Sequence, residues 1–146
     1  MTGHEELLAF YELTQAKAKY CRTLDTRDWN GLAALMVPDI EFGMDDGQSE
    51  PQMTVGRDRT LALLQSLVAG SRTAHQVHTP EIDLNGDEAQ VIWAVQDRAV
   101  FDNGLTVTGY GHYTEQWVRQ GQEWKLASLL LSHLITDVHQ ESDNAG

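Results

Sequence analysis

The chain is poor in the residues that build several common kinds of site. One cysteine among 146 residues excludes an internal disulfide and any cysteine-rich zinc knot, and it suits a reducing compartment. That residue, Cys21, falls on the apolar face of a helical pattern, where a thiol reads as packing rather than as a nucleophile. Basic residues are scarce: ten Lys plus Arg against twenty-two Asp plus Glu leave a formal charge of −12, which repels nucleic acid and anionic membrane surfaces. No apolar run approaches the roughly 18 residues of a membrane helix, and MTGHEELLAF has neither the basic region nor the apolar stretch of a signal peptide. The expectation is a cytoplasmic protein with no nucleic-acid or membrane partner. There is no phosphate loop, dinucleotide fingerprint or Gly-x-Ser-x-Gly elbow, which argues against nucleotide cofactors and serine hydrolase chemistry. Only three prolines, with 41% hydrophobic and 22% charged residues, separate the chain from disordered compositions. Its length suits one domain with a real core.

What the sequence does have is pattern. Projected at about 100° per residue, positions 5–26 collect Leu7, Phe10, Tyr11, Leu13, Thr14, Ala18, Tyr20, Cys21 and Leu24 on one arc. Glu5, Glu12, Gln15, Lys19 and Arg22 fall on the other. Asp25 projects over Leu7, Thr14 and Ala18, so the register puts a carboxylate on the apolar arc, and Lys17 intrudes there as well. Asp28 reads as the N-cap of a second short helix in WNGLAALM, with Pro38 ending it. DIEFGM is a short strand, SEPQMTV a loop leading to another extended piece, and GRDRTLALLQSLVAG a third helix closed by Gly70. From Thr73 onward HQVHTPEIDL, EAQVIWAVQDRAVF, LTVTGYGHYTEQWVR and EWKLASLLLSHLI read as long strands separated by NGD, DNG and QGQ turns.

Helices followed by a meander of long strands imply an α+β domain over residues 1–135, with a polar, flexible tail at 136–146. Strands this long must twist and curl, and a curled sheet covered by helices encloses a conical pocket. Gly109 and Gly111 inside the third long strand fit a bend or a close backbone approach.

Three constellations compete for the chemistry. A buried Asp25 needs a donor, and His75 at the start of the first long strand is a candidate. A carboxylate holding one imidazole nitrogen makes the other a general base. The competing reading is that Asp25 caps a helix end or faces solvent. His75 and His78 lie three apart on one strand, so at most one faces inward. A metal site from His75, His78, His112 and His133 lacks a His-x-His pair, and none is expected. On the strands, Trp93, Val95 and Asp97 share a face by period two, unless Asp97 is merely wet beside Arg98. Whether His112 or the tyrosines Tyr110 and Tyr113 look inward depends on a register that the pattern leaves open.

The segments YCRTLDTRDWNGLAALMVPDIEF, GRDRTLALL, TAHQVHTPEIDL and GYGHYTEQWVRQGQEWKLASL together resemble the SnoaL-like branch of the nuclear transport factor 2-like superfamily. That branch includes scytalone dehydratase, bile-acid 7α-dehydratase, hexachlorocyclohexane dehydrochlorinase and polyketide cyclases. The resemblance implies an α+β conical barrel, a curved, mixed, mostly antiparallel sheet packed on three N-terminal helices around a deep apolar pocket. By motif position it also implies an Asp25–His75 general base, with Tyr20 as a further catalytic group and Asp97 toward the substrate; the strand pattern adds Trp93, His112 and Tyr113 as candidates for substrate contact. The dehydrochlorinases carry a lysine where Tyr20 stands and an arginine on the last strand near Leu129, and this chain has neither. The expected activity is a cofactor-independent lyase, a dehydratase, or an isomerase acting on a hydrophobic, cyclic carbonyl compound. The alternatives are a polyketide-type cyclase and a non-catalytic module binding a small ligand. A homo-oligomer, dimer or trimer, is expected on the same basis, with Trp117 and Trp124 supplying a sheet face for it.

Overall fold

A computed structural model describes residues 1–141. Three helices, α1 (Gly3–Asp25), α2 (Trp29–Ala33) and α3 (Arg57–Val68), pack against one sheet of six strands. The strands are β1 (Met36–Asp45), β2 (Thr54–Val55), β3 (Ser71–Asn85), β4 (Glu88–Phe101), β5 (Leu105–Gln120) and β6 (Glu123–Gln140). Their order is β2-β1-β6-β5-β4-β3. Every neighbouring pair is antiparallel except β1 with β6, so the sheet is mixed and mostly antiparallel as expected. It curls into a cone without closing, leaving β2 and β3 as its edges.

Local chemistry explains where the elements begin and stop. Thr2 caps α1 through a reciprocal capping box with Glu5, and Asp28 Oδ1 accepts from Gly31 N–H at 3.0 Å to open α2. Gly70, at φ 69°, takes the left-handed turn that ends α3 and starts β3. Three boundaries differ from the sequence reading. α2 stops at Ala33 because Met36 already pairs with Leu126 of β6. β3 begins at Ser71 rather than after it. Residues 136–140, expected in the tail, continue β6, with Gln140 opposite Leu105; positions 142–146 lie outside the described residues.

The buried face of α1 is also rotated from its expected place. Ala9, Leu13, Lys17, Tyr20, Cys21 and Leu24 point into the core, while Leu7 and Tyr11 are more than half exposed. A stripe spaced three and four residues apart meets the sheet. Lys17 therefore sits at the centre of the buried face instead of intruding on it. Trp117 and Trp124 are 0% and 4% exposed, so they fill the core and cannot form the outer face expected for oligomer contacts. No helix among the described residues is long and apolar enough to cross a membrane.

Candidate active site

Helix α1 ends where it can deliver a carboxylate to β3. Asp25 is its last residue, and Arg27 beyond it adopts φ 61°, a backbone region uncommon for side-chain-bearing residues. The reversal lets the Arg27 guanidinium donate to the carbonyl oxygens of Leu24 at 2.9 Å and Ser71 at 2.8 Å, and to Thr73 Oγ1 at 2.8 Å. Helix end and strand start are clamped together. Thr73 in turn donates its hydroxyl to Asp25 Oδ1 at 2.9 Å, and the backbone N–H of His75 donates to Oδ2 at 2.8 Å. His75 Nδ1 lies 2.7 Å from Oδ1. An ionised carboxylate only accepts, so Nδ1 carries the hydrogen, and in the neutral form of the ring the lone pair is then on Nε2. The His75 side chain remains 13% exposed, and it lines the cavity.

A second pair stands beside the first. Asp97 of β4 is the direct cross-strand partner of His75, and its Oδ2 is 2.6 Å from Nε2 of His133 on β6. β5 runs between those two strands, so a side chain there would separate them; the residue opposite Asp97 is Gly109. A β-carbon at that position would lie 2.5 Å from His133 Nε2 and 2.7 Å from Asp97 Oδ1. The absence of a side chain is what lets the histidine reach the aspartate.

The floor of the cone is built differently. Lys17 and Glu115, both 0% exposed in their side chains, form an ion pair. Glu115 Oε1 also accepts from the indole N–H groups of Trp93 at 2.8 Å and Trp117 at 2.9 Å. Lys17 Nζ sits 3.9 Å from the ring centroid of Tyr20 and 3.5 Å from that of Tyr113, a cation held by two aromatic faces. The two tyrosines meet edge to face at 6.1 Å, and both line the cavity. Burial raises both phenols well above their ordinary value, helped by the Glu115 charge beside Tyr20 and by Tyr20 itself beside Tyr113. They stay protonated and can donate. Burial also pushes the Cys21 thiol up to about 11, which keeps it un-ionised and poorly nucleophilic at neutral pH.

Between floor and mouth lies a cavity of about 220 Å³, walled on its apolar side by Leu24, Phe42, Leu64, Phe101, Val107 and Leu131. Tyr20, His75, Asp97, Tyr113 and His133 face into it. The structure thus brings Asp25 and His75 into contact, puts Tyr20 and Tyr113 at the inner end, and places Asp97 on the wall. Two expectations fail. His112 is exposed on the outer face of β5, because period two gives its inward neighbours Gly111 and Tyr113 the cavity side. Trp93 does face inward, but it lies deeper than the cavity with its indole N–H committed to Glu115. His133 had appeared in the sequence only as a possible metal ligand; among the described residues no three His, Cys, Asp or Glu side chains converge on one point. The alternation of Leu129, Leu131 and His133 along β6 carried the signal for its inward face.

The cone, the three helices and the paired carboxylate and imidazole on its wall define a recognisable class of α+β pocket protein. The model of the SnoaL-like domain matches residues 5–129, and the chain belongs to that family. A Gibberella zeae protein named "Probable cyclase FGR4" is 28% identical over 134 residues, covering 84% of this chain and 89% of that protein. Among solved structures, a candidate scytalone dehydratase from Novosphingobium aromaticivorans superposes with a TM-score of 0.85 at 22% identity, covering 97% of this chain and 94% of the other. Hexachlorocyclohexane dehydrochlorinase LinA-type3 from Novosphingobium barchaimii gives 0.81 at 15% identity, with 94% of each chain covered. At these identities the structural neighbours speak for the fold.

Proposed function

We propose that this protein is a lyase or isomerase that removes a proton alpha, or vinylogous, to the carbonyl of a small hydrophobic ring compound, with His75 as general base. The observation that carries this reading is the Asp25–His75 contact at the wall of an apolar cavity that His75 lines: Nδ1 is committed to the carboxylate, which leaves Nε2 as the basic atom. Thr73 and the His75 backbone N–H fix Asp25, so the imidazole is oriented before substrate arrives. The carbanion formed beside a carbonyl places its charge on oxygen, where a preorganised donor acts most strongly. Tyr20 and Tyr113, kept as phenols by burial, supply such donors. A cavity of about 220 Å³ is smaller than the roughly 300–1,000 Å³ of drug-sized sites, which favours substrates of one ring or two fused rings. A cyclase reading draws support from the name of the Gibberella zeae relative and uses the same first step, proton removal next to a carbonyl.

The test is elimination of water from two β-hydroxy ketones, 3-hydroxycyclohexanone and 3-hydroxy-1-tetralone, followed by absorbance of the enone and naphthol products. His75→Gln is expected to lower the rate by about 10²- to 10⁴-fold. A folded His75→Gln protein working at the wild-type rate would remove the base from the account, and wild-type binding without turnover would favour a ligand-holding module.

A further inference from the structure

The Asp97–His133 pair is unusual for a wall residue with no role in the base just described. Both side chains are partly open to the cavity, at 15% and 19% exposure, and both line it. The pair is also built rather than incidental. It spans β4 to β6 across an intervening strand, and it exists only because Gly109 leaves the space empty, while Gly111 next to it tolerates no β-carbon either, since one would sit 1.8 Å from the Ser132 carbonyl oxygen. Asp97 is moreover the cross-strand partner of His75. Directly opposed side chains on one face lie about 5 Å apart at their β-carbons. Two imidazoles, each held by its own carboxylate, therefore look into one small cavity from neighbouring positions.

Elimination of water from a β-hydroxy ketone needs two proton transfers at adjacent carbons. We infer that His133 is the acid of this site, its Nδ1 protonating the departing hydroxyl, and that Asp97 and Gly109 are the positioning residues that hold it there. The inference rests on the proposed His75 base and adds its counterpart. In the step, the C–H bond alpha to the carbonyl breaks and its proton goes to His75 Nε2. The electron pair forms the C=C bond as the C–O bond breaks, and the hydroxyl leaves as water with the proton from His133. Exchange with solvent then resets both rings, so no co-reactant is required. Asp97 accepting at Nε2 leaves Nδ1 as the nitrogen available to substrate and balances the charge of the ring when it is protonated.

The experiment compares two leaving groups with one product. 3-Hydroxycyclohexanone must have its leaving group protonated, whereas 3-acetoxycyclohexanone expels acetate, which needs no proton; both give cyclohex-2-enone. His133→Gln and Gly109→Ala are expected to lower kcat on the hydroxy ketone by about 10²-fold or more, and on the acetoxy ketone by less than about fivefold. His75→Gln is expected to lower both alike. Equal losses for His133→Gln on the two ketones, or no loss on either, would overturn the assignment while leaving the base reading intact. Full activity of His75→Gln on both would instead overturn the base, and no elimination of either ketone by wild-type protein would overturn the acid. A proton NMR signal from the His133 ring N–H, expected in wild type and His75→Gln but lost in a folded Gly109→Ala, checks the positioning role separately; its survival in Gly109→Ala would sink that role.

Discussion

At the floor of the cone Lys17 and Glu115 form a pair sealed off from solvent, whereas on the wall Asp25–His75 and Asp97–His133 each leave one ring nitrogen without a hydrogen-bond partner among the described residues. The floor pair is fully buried, and its carboxylate accepts from the ammonium and two indoles. A buried charge without its partner is costly, so such a cluster fixes one packing of α1 on the sheet. The wall pairs also join a carboxylate to an imidazole among apolar residues, yet each has its imidazole on the cavity wall. Burial alone does not distinguish structural from chemical polar groups. What distinguishes them is whether they border the cavity: His75, Asp97 and His133 line it and Lys17 and Glu115 do not.

Several measurements would break or sharpen that contrast. The largest separation should come from Asp25→Asn, which leaves the shape of the wall but no longer orders His75: elimination is expected to fall by about 10²- to 10⁴-fold, while the urea midpoint moves little. Lys17→Met should do the reverse, leaving Glu115 buried without its cation and costing about 3–5 kcal/mol of stability by urea titration. Pairing it with Glu115→Gln should restore part of that loss, and additive losses would argue against a coupled floor cluster. Tyr20→Phe tests the boundary between the regions, since its ring belongs to the floor and its hydroxyl to the cavity. Removing one donor to a developing oxyanion is expected to cost about 10- to 100-fold in kcat, with stability close to wild type. A last effect is a pH dependence confined to alkaline solution. The folded Cys21 thiol titrates at about 11 against an ordinary 9.0, so its contribution is whole below pH 9, is lost as the unfolded chain ionises first, and levels off above pH 11. The loss across that window is roughly 2–3 kcal/mol. Cys21→Ala should show a correspondingly shallower fall in stability across that window.

Much of the cone was legible because its strands obey period two and its turns carry glycine and asparagine, as in NGD and DNG. The Asp25–His75 pair was legible through the family resemblance, which singled out His75; the pattern alone left Asp25 open, since the arc that placed it ran through Leu7 and Ala18, which are exposed. Lys17 was not legible, because its partner Glu115 is 98 positions away and no local pattern marks a buried ion pair. The face of α1 was misplaced because Leu7 and Tyr11 are apolar by side chain yet lie on the outward side of the helix, while Ala9 between them is fully buried. His133 and Gly109 were missed as a unit because strand register, not sequence spacing, joins them. The register also decided between His112 and Tyr113, which differ by one position and therefore by a whole face.

The central claim is that His75 is a base aimed at a carbonyl compound in the cavity. It is tested most directly with a ketone that has no leaving group, 1-tetralone, incubated with the protein in D2O while NMR follows loss of the protons alpha to the carbonyl. Wild-type protein should exchange them well above the buffer rate, and folded His75→Gln should fall to that rate. Exchange by folded His75→Gln as fast as by wild type would contradict the account.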